Sequence, residues 1–549
     1  MCGIFAVLSS HFKDVNFERQ NFHKGQNRGP ENSVFKKINN NAVFGFHRLA
    51  INGYTNPTSE QPIEMDDCVL ICNGEIYNWT ELHNTLNIPS KTGSDCEIII
   101  HLYKQFGIEY TLNKLDGVFS FVLFDKVKNK TFVSRDPFGV RPLFCSYTNK
   151  ATQYYYVFSS ELKMMTHMIT EHLYNAQQFT PGSYAEINMT NGNIVNKQYY
   201  NSVSTNLVLN PGQTRIEKLY CKCIKDALTD AVNKRVSNTD REIACLLSGG
   251  LDSSLITALV VKSLENPSKL KTWSIGMEGS EDLKYARLVA THLGTNHHEM
   301  VLSKEEFLDV IPKVIYATES YDTTTIRASV GNWLISKFIK EFSDAKVVFN
   351  GDGSDEVTGG YMYFHYAPNA LEFDRECKRL LNDICYFDVL RSDRSISSHG
   401  LEARTPFLDK SFVQMYLSIP AKFRFNTMKE TGIEKYLLRK AFENDNLLPN
   451  EVLWRRKEAF SDGVSASKES WFETIQNHAR EKYKDMNLDG PTSEKYWYRV
   501  IFNEFYPECK NTIPYMWMPR FVTAFDASAR TLDIYKSKHT EENVKLEVC

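Results

Sequence analysis

No apolar run in this chain approaches the roughly 18 to 20 residues that a bilayer-spanning helix needs. The longest, such as residues 118–124, fall far short. The opening Met-Cys-Gly-Ile-Phe-Ala-Val-Leu-Ser-Ser has no positively charged stretch before its apolar residues and no cleavage pattern after them, so it does not read as a signal peptide. A surplus of basic charge is also missing. The balance is 64 basic against 67 acidic residues, a net of −3, which gives no overall attraction for nucleic acid or an anionic membrane. Neither G-x-x-x-x-G-K-S/T nor G-x-G-x-x-G occurs, which disfavours a kinase-like phosphate loop and a dinucleotide fingerprint. Internal repeats and low-complexity tracts are absent.

The 12 cysteines lack the regular spacing of a disulfide framework and suit a reducing compartment. Cys221-x-Cys223 has no second pair at zinc-ligand spacing and reads as two structural thiols. His297-His298-Glu299 reads as strand, where adjacent side chains point to opposite faces and cannot easily share one ion. No protein-bound zinc is expected. The chain is expected to be soluble and cytoplasmic, with small molecules rather than nucleic acid or membrane as partners. A homodimer is compatible with the sequence but not specified by it.

What the sequence does contain is 549 residues at 42% hydrophobic and 24% charged content, enough for more than one globular core. The first 200 residues read as short strands, at 2–9, 42–51, 69–77, 118–125, 130–135 and 154–159, with fewer helical patterns. Strands at 183–188 and 194–200 flank Asn191-Gly192, a dipeptide suited to a tight hairpin. Residues 201–213 are polar, contain Pro-Gly and lack periodicity, so they read as a linker. Beyond them strand and helix alternate: strands at 242–247, 271–277 and 345–350, helices at 254–264 and 281–293. That alternation predicts a parallel sheet with its ligand site at the carboxyl ends of the strands. The expected domains are 2–200 and 214–535, followed by a mobile charged tail at 536–549.

Cys2 would become the first residue if Met1 were removed, and one residue would then carry both a thiol and a free amine. An α-amine of pKa about 7.7 to 8 can take the proton of a thiol of pKa about 8.5, giving nucleophile and base together. Taken alone, Cys2 reads as a buried residue at the head of a strand. Its company points to chemistry. Asn73-Gly74-Glu75 ends an apolar strand, where an amide and a backbone N–H can converge on a developing oxyanion. Arg48 can fork onto a carboxylate, and Asp95 can receive an ammonium, the two charges of a free amino acid.

Five segments in order, Met-Cys-Gly-Ile, His47-Arg48-Leu49, Asn73-Gly-Glu-Ile-Tyr-Asn78, Thr92-Gly-Ser-Asp95-Cys-Glu97 and Arg135-Asp-Pro-Phe-Gly139, resemble the class II glutamine amidotransferases. The resemblance implies an antiparallel β-sandwich flanked by helices, of the N-terminal-nucleophile type. It also implies that Cys2 attacks the glutamine side-chain amide, forming a thioester and releasing ammonia. Arg48, Leu49, Ala50, Ile51, Asn52, Asn73, Gly74, Glu75 and Asp95 are its implied glutamine-binding set, with Asn73 and Gly74 as oxyanion donors.

The second half carries Leu246-Leu-Ser248-Gly249-Gly250-Leu-Asp252-Ser253-Ser254 at a strand-to-helix turn, where hydroxyls and open N–H groups suit phosphate. A carboxylate there makes sense if Mg²⁺ lies between Asp252 and the phosphates. The run resembles the phosphate loop of ATP pyrophosphatases, which implies ATP as co-substrate, AMP and pyrophosphate as products, and Asp355 as the second metal carboxylate. Leu246, Ile275, Asn350 and Gly351 fall where that family holds adenosine.

Together with Glu319-to-Arg327, Gly400-to-Asp409 and Trp454-Arg-Arg-Lys457-Glu458, the resemblance extends nearly end to end to asparagine synthetases. It implies that the aspartate side chain is activated as an acyl-adenylate and that ammonia travels internally to it. Thr324, Thr325 and Arg327 would bind aspartate, and Lys457 would stabilise pyrophosphate or the intermediate. One residue departs from the pattern: Asp352 stands where the family commonly has glutamate, at the position credited with proton transfer during ammonia attack. Two other readings stay open, a β-lactam synthetase-like ligase that cyclises its own substrate and a catalytically silent amino-acid-binding protein.

Overall fold

The computed structural model describes the whole chain except residues 11, 13, 151–152, 172–174, 202–212, 426–431, 466–469, 510 and 536–549. Twelve described strands make up the first half: β1 (Gly3–Ser9), β2 (Asn32–Lys37), β3 (Ala42–Arg48), β4 (Ile63–Met65), β5 (Cys68–Ile76), β6 (Gly117–Asp125), β7 (Lys130–Arg135), β8 (Phe144–Lys150), β9 (Gln153–Ser159), β10 (Gln177–Gln178), β11 (Ser183–Asn188) and β12 (Ile194–Gln198). They form two six-stranded sheets in the orders β10-β8-β9-β1-β3-β2 and β12-β11-β7-β6-β5-β4. Every described pairing in them is antiparallel.

Alternate residues of a strand face opposite ways, so a strand that is apolar throughout must be covered on both sides. On β1, Ile4, Ala6 and Leu8 meet Val69, Ile71, Val122 and Val133 of the second sheet, forming the middle layer. Phe5 and Val7 face outward onto Phe22, Leu162 and Met164. On β5, Leu70 and Cys72 face helices carrying Ile98, Ile99, Leu102 and Leu112. Each such Val, Leu, Ile or Phe contributes about 1.5–3 kcal/mol relative to remaining exposed. The result is a sandwich with helices on its outside, the expected class.

Several local expectations are corrected. The strand read at 42–51 stops at Arg48, leaving residues 49–52 as a loop. Helices Trp79–Leu86, Ile98–Phe106 and Ile108–Lys114 fill a region expected to be poor in them. Gly192 takes a positive φ of 72°, but Asn191 does not, so β11 and β12 are joined by a five-residue loop rather than a two-residue turn. Residues 202–212 of the expected linker and the whole expected tail lie outside the described residues, and Gln213 already begins helix Gln213–Ser237.

The second half is built on a five-stranded, wholly parallel sheet of β13 (Ile243–Leu246), β14 (Lys271–Gly276), β15 (Asn296–Val301), β16 (Val347–Phe349) and β17 (Glu402–Arg404), in the order β15-β14-β13-β16-β17. From β13 the chain runs first to one side, to β14 and β15, and later to the other, to β16 and β17. The crevice beyond the ends of β13 and β16 is therefore the switch point where α/β sheets bind ligands.

The two halves meet through buried charges. Arg28 donates to Asp393 at 2.6 and 2.9 Å and to Ser397 at 2.9 Å. Glu319 accepts the backbone N–H groups of Leu162 and Lys163 at 2.8 and 2.9 Å, and its carboxylate also pairs with Lys163 and Arg394. Left unpaired, these buried charges would cost several kcal/mol each, which ties the halves to one relative placement. No described helix is long and apolar enough to cross a membrane, and the eleven described cysteines are all free.

Candidate active sites

Cys2 precedes β1 and is half-buried. Its carbonyl accepts from Arg28 Nε at 2.6 Å, and its sulfur donates to the carbonyl of Leu49 at 3.4 Å. With Met1 in place, the Cys2 nitrogen is an amide and cannot serve as the expected base. Burial pushes the Cys2 thiol up to about 11. Met1 itself is buried: its amine donates to Leu401 O at 3.2 Å, and its sulfur lies against Arg28 and Arg141. The Met1-bearing chain thus holds a protonated thiol with no base attached to it.

Of the expected set, Leu49 and Asn73 touch Cys2 directly. The amide of Asn73, oriented to satisfy its neighbours, donates to Cys2 O at 2.9 Å and accepts from Arg28 at 3.2 Å, so here it fixes the nucleophile's backbone. A Cβ on Gly74 would lie 2.5 Å from Val118 O, so only glycine fits that approach. Arg48 donates to Gly53 O at 3.3 Å and to Ser59 Oγ. Asp95 accepts the Ile76 N–H at 2.6 Å, and burial raises its carboxyl to about 6. Asn56 donates to Thr92 O at 2.9 Å, linking the loop after Arg48 to the segment that carries Asp95.

The loop 49–52 is fastened from the other half of the chain. Arg241 donates to Ala50 O at 2.9 Å and Asp240 N–H to Ile51 O at 3.1 Å. Asn52 donates to Glu75 at 2.7 Å, and Asn238 donates to the same carboxylate oxygen at 3.1 Å. Glu75, expected among the glutamine ligands, therefore faces the joint between the halves. Burial, with the Glu402 and Asp95 carboxylates nearby, raises it well above the usual carboxylate range.

The second site fills the crevice beyond β13 and β16. Leu246, Ser248, Gly250, Asp252, Ser253, Ile275, Asn350, Gly351, Asp352, Asp355, Thr324 and Lys457, all anticipated, line one cleft. Helix Leu251–Lys262 begins there with no side-chain cap, leaving its first N–H groups open to an anion. Gly249, at φ 74°, packs its backbone against Tyr285 and Ala286 instead of lining the cleft. A Cβ on Gly351 would lie 2.8 Å from that of Asp252, so glycine lets the two loops touch.

Asp252 and Asp355 share a cation. Lys435 Nζ lies 2.6 Å from each, and Lys457 Nζ lies 2.6 Å from Asp355 and 3.9 Å from Asp252. The two lysines hold Asp355 well below the ordinary carboxylate range against the pull of burial. A pair of hard oxygen donors already stabilising positive charge, beside open N–H groups for phosphate, fits Mg²⁺, which is usually held by one or two carboxylates plus substrate phosphate. Among the described residues no three carboxylate, His or Cys ligands cluster as an all-protein metal cage.

Asp352 accepts from Arg391 at 3.0 Å through one oxygen, while the other is buried with no partner. Burial raises its carboxyl, opposed by Arg391. Thr324 Oγ1 is likewise buried without a partner on the cleft wall. Thr325 N–H is capped by Asp322 at 2.8 Å, and the residue lines a smaller adjoining cavity. Arg327 does not face the cleft as expected: its guanidinium makes four hydrogen bonds, of 2.5–2.8 Å, to Glu494 and Asp526. Sequence reasoning missed Lys435 and Arg391, which stand in no recognisable motif.

The chain matches the family model for the glutamine amidotransferase domain over residues 1–214 and that for asparagine synthase over 223–376 and 366–528. It is 40% identical to the glutamine-hydrolysing asparagine synthetase of Gallus gallus, covering 98% of this chain and 99% of that one. The corresponding proteins of Bos taurus and Homo sapiens are 41% and 40% identical, at the same coverage. With both family models matched and relatives similar over nearly their whole length, the chain belongs to the glutamine-hydrolysing asparagine synthetase family.

Proposed function

We propose that this enzyme makes asparagine from aspartate, ATP and glutamine, with the division of labour that its two sites suggest. After loss of Met1, the Cys2 amine takes the thiol proton, and the thiolate attacks the glutamine side-chain carbonyl. Arg48 and Asp95 hold the substrate's carboxylate and ammonium, while Asn73 and Gly74 donate to the oxyanion. Ammonia leaves, and water later releases glutamate from the thioester.

In the cleft, an oxygen of the aspartate side-chain carboxylate attacks the α-phosphorus of ATP, and pyrophosphate departs. Ser248, Gly250 and Ser253 offer hydroxyl and N–H donors to phosphate, and Leu246, Ile275, Asn350 and Gly351 take the nucleoside. Lys457 neutralises charge on the departing pyrophosphate. When bound, Mg²⁺ supplies further neutralisation, with Asp252 and Asp355 to hold it. Thr324 and Thr325 orient aspartate. Ammonia nitrogen then attacks the acyl carbon, AMP leaves, and the free oxygen of Asp352 accepts the nitrogen's proton. Cytoplasmic location completes the reading.

The observation that carries it is the pairing, in one chain, of Cys2 seated against the 49–52 loop with a cleft that presents Asp252, Asp355 and Lys457 together. A cyclising ligase has no use for the first site, and a silent binding protein has no use for the second. The test compares Cys2→Ala with the parent, supplying either glutamine or ammonium with ATP, magnesium and aspartate. Asparagine formation from glutamine is lost and that from ammonium is kept. Equal use of glutamine by both proteins overturns the reading, and absence of pyrophosphate release from the parent favours the silent binder.

A further inference from the structure

Between helices Asn450–Leu453 and Phe460–Gly463 the chain that carries Lys457 belongs to no helix or strand. No ladder of backbone hydrogen bonds fixes it, so its position must come from side chains. Lys457 itself reaches inward to Asp355. The residues on either side of it are both tied to one short segment near the end of the described chain. Arg456 Nη2 donates to Ile534 O at 2.6 Å, with its guanidinium 5.7 Å from the Tyr535 ring. Both oxygens of Glu458 are used as well: Oε1 accepts from Arg530 Nε at 3.0 Å and pairs with Arg530 Nη2 at 2.9 Å, and Oε2 accepts from the Tyr535 hydroxyl at 2.8 Å.

That segment is anchored in turn. Ile534 N–H donates to the Tyr366 hydroxyl at 3.0 Å. Ser528 Oγ donates to Asp462 at 2.9 Å. Asp526 takes two hydrogen bonds from Arg327 and one from Gln476. Arg327 stands one turn along the helix Thr323–Phe342 from Thr324, which lines the cleft. One rigid helix therefore presents Thr324 to the cleft and, through Arg327 and Asp526, fixes the segment that holds Lys457 on the facing side.

We propose that residues 526–535 form a strap that sets the position of Lys457 over the nucleotide cleft, with Arg530 and Tyr535 as its positioning residues and Arg327 as its anchor. The proposal rests on the reading of Lys457 as the cation that meets the departing pyrophosphate. It also gives Arg327, which commits four of its five N–H groups to Glu494 and Asp526, a role at a distance. A displacement of about 1 Å at a reacting centre is enough to cost on the order of a hundredfold in rate.

The test uses the full chain with Arg530→Gln and Tyr535→Phe combined, assayed with ATP, magnesium, aspartate and ammonium, alongside glutamine hydrolysis by Cys2 in the same preparation. The expected result is a fall of about tenfold or more in kcat for pyrophosphate release, within the range set by such displacements, with glutamine hydrolysis and the KM for aspartate unchanged. Arg530→Lys, which keeps the ion pair, recovers most of the rate. A parent kcat in the double variant overturns the strap, as does an equal loss of glutamine hydrolysis, which marks general unfolding. A parallel Lys457→Met variant separates the two readings. A parent rate there overturns the role of Lys457 and the strap with it, whereas a low rate there beside a parent rate in the strap variant overturns the strap alone.

Discussion

Arg391 holds one oxygen of Asp352 at 3.0 Å and leaves the other buried with nothing to bond. A buried carboxylate oxygen without a partner is costly to the fold and useful only when a ligand arrives. The Arg391 contact directs the Asp352 side chain on the cleft wall. Its raised affinity for a proton, due mainly to burial, suits the proton-accepting role proposed for it.

Asp352→Asn keeps the shape and removes the base. Asparagine formation from ammonium should fall about a hundredfold or more, while glutamine hydrolysis is unchanged. Arg391→Met should fall less in the same assay, because it disorders the carboxylate without removing it. A parent rate for Asp352→Asn removes it from the proton-transfer step.

Removal of Met1 should switch on one activity and leave the other as it was. In a preparation that keeps Met1, verified by intact mass, ammonium-driven synthesis proceeds but glutamine hydrolysis is at least about a hundredfold lower, the contribution typical of a missing general base. Treatment with a methionine aminopeptidase then restores hydrolysis in step with the loss of one methionine from the mass spectrum. Full glutamine hydrolysis before treatment contradicts the role given to the Cys2 amine.

His47 offers a pH test read in stability rather than in activity. Its ring is fully buried, stacked on Phe22 and hydrogen bonded to Ser33 Oγ at 2.7 Å and Phe22 O at 2.9 Å, and burial lowers its pKa to about 4. The unfolded chain takes up this proton near pH 6.5 but the folded chain only near 4, so stability from the neutral ring is present above about 6.5 and is lost as pH falls toward 4. The loss is on the order of 3 kcal/mol. Urea unfolding of His47→Gln between those limits should show a correspondingly shallower decline than the parent, and an identical slope removes His47 as its source.

How much the sequence discloses depends on how a residue earns its place. β1, β5 and β6 are legible because both faces are buried, so their apolar runs stand out. β2, Asn-Ser-Val-Phe-Lys-Lys, is an edge strand only partly covered and carries no such mark. The phosphate turn announces itself because its glycines and hydroxyls act through local backbone. Lys435 gives no sign: it reaches Asp252 from 183 positions away, and no periodicity records a meeting of that range. Arg327 shows the converse, a residue in a recognisable segment whose charge is consumed internally. Cys2 is informative only with Arg48, Asn73, Gly74 and Asp95 beside it, since a terminal thiol alone has many ordinary explanations.

The grip of Glu319 on the N–H groups of Leu162 and Lys163, beside the Arg28–Asp393 pair, separates connectivity from cohesion. The covalent thread between the halves determines which two partners meet, but the buried charges determine that they stay. A chain cut between them would therefore still behave as one particle, held by contacts that neither fragment could satisfy alone.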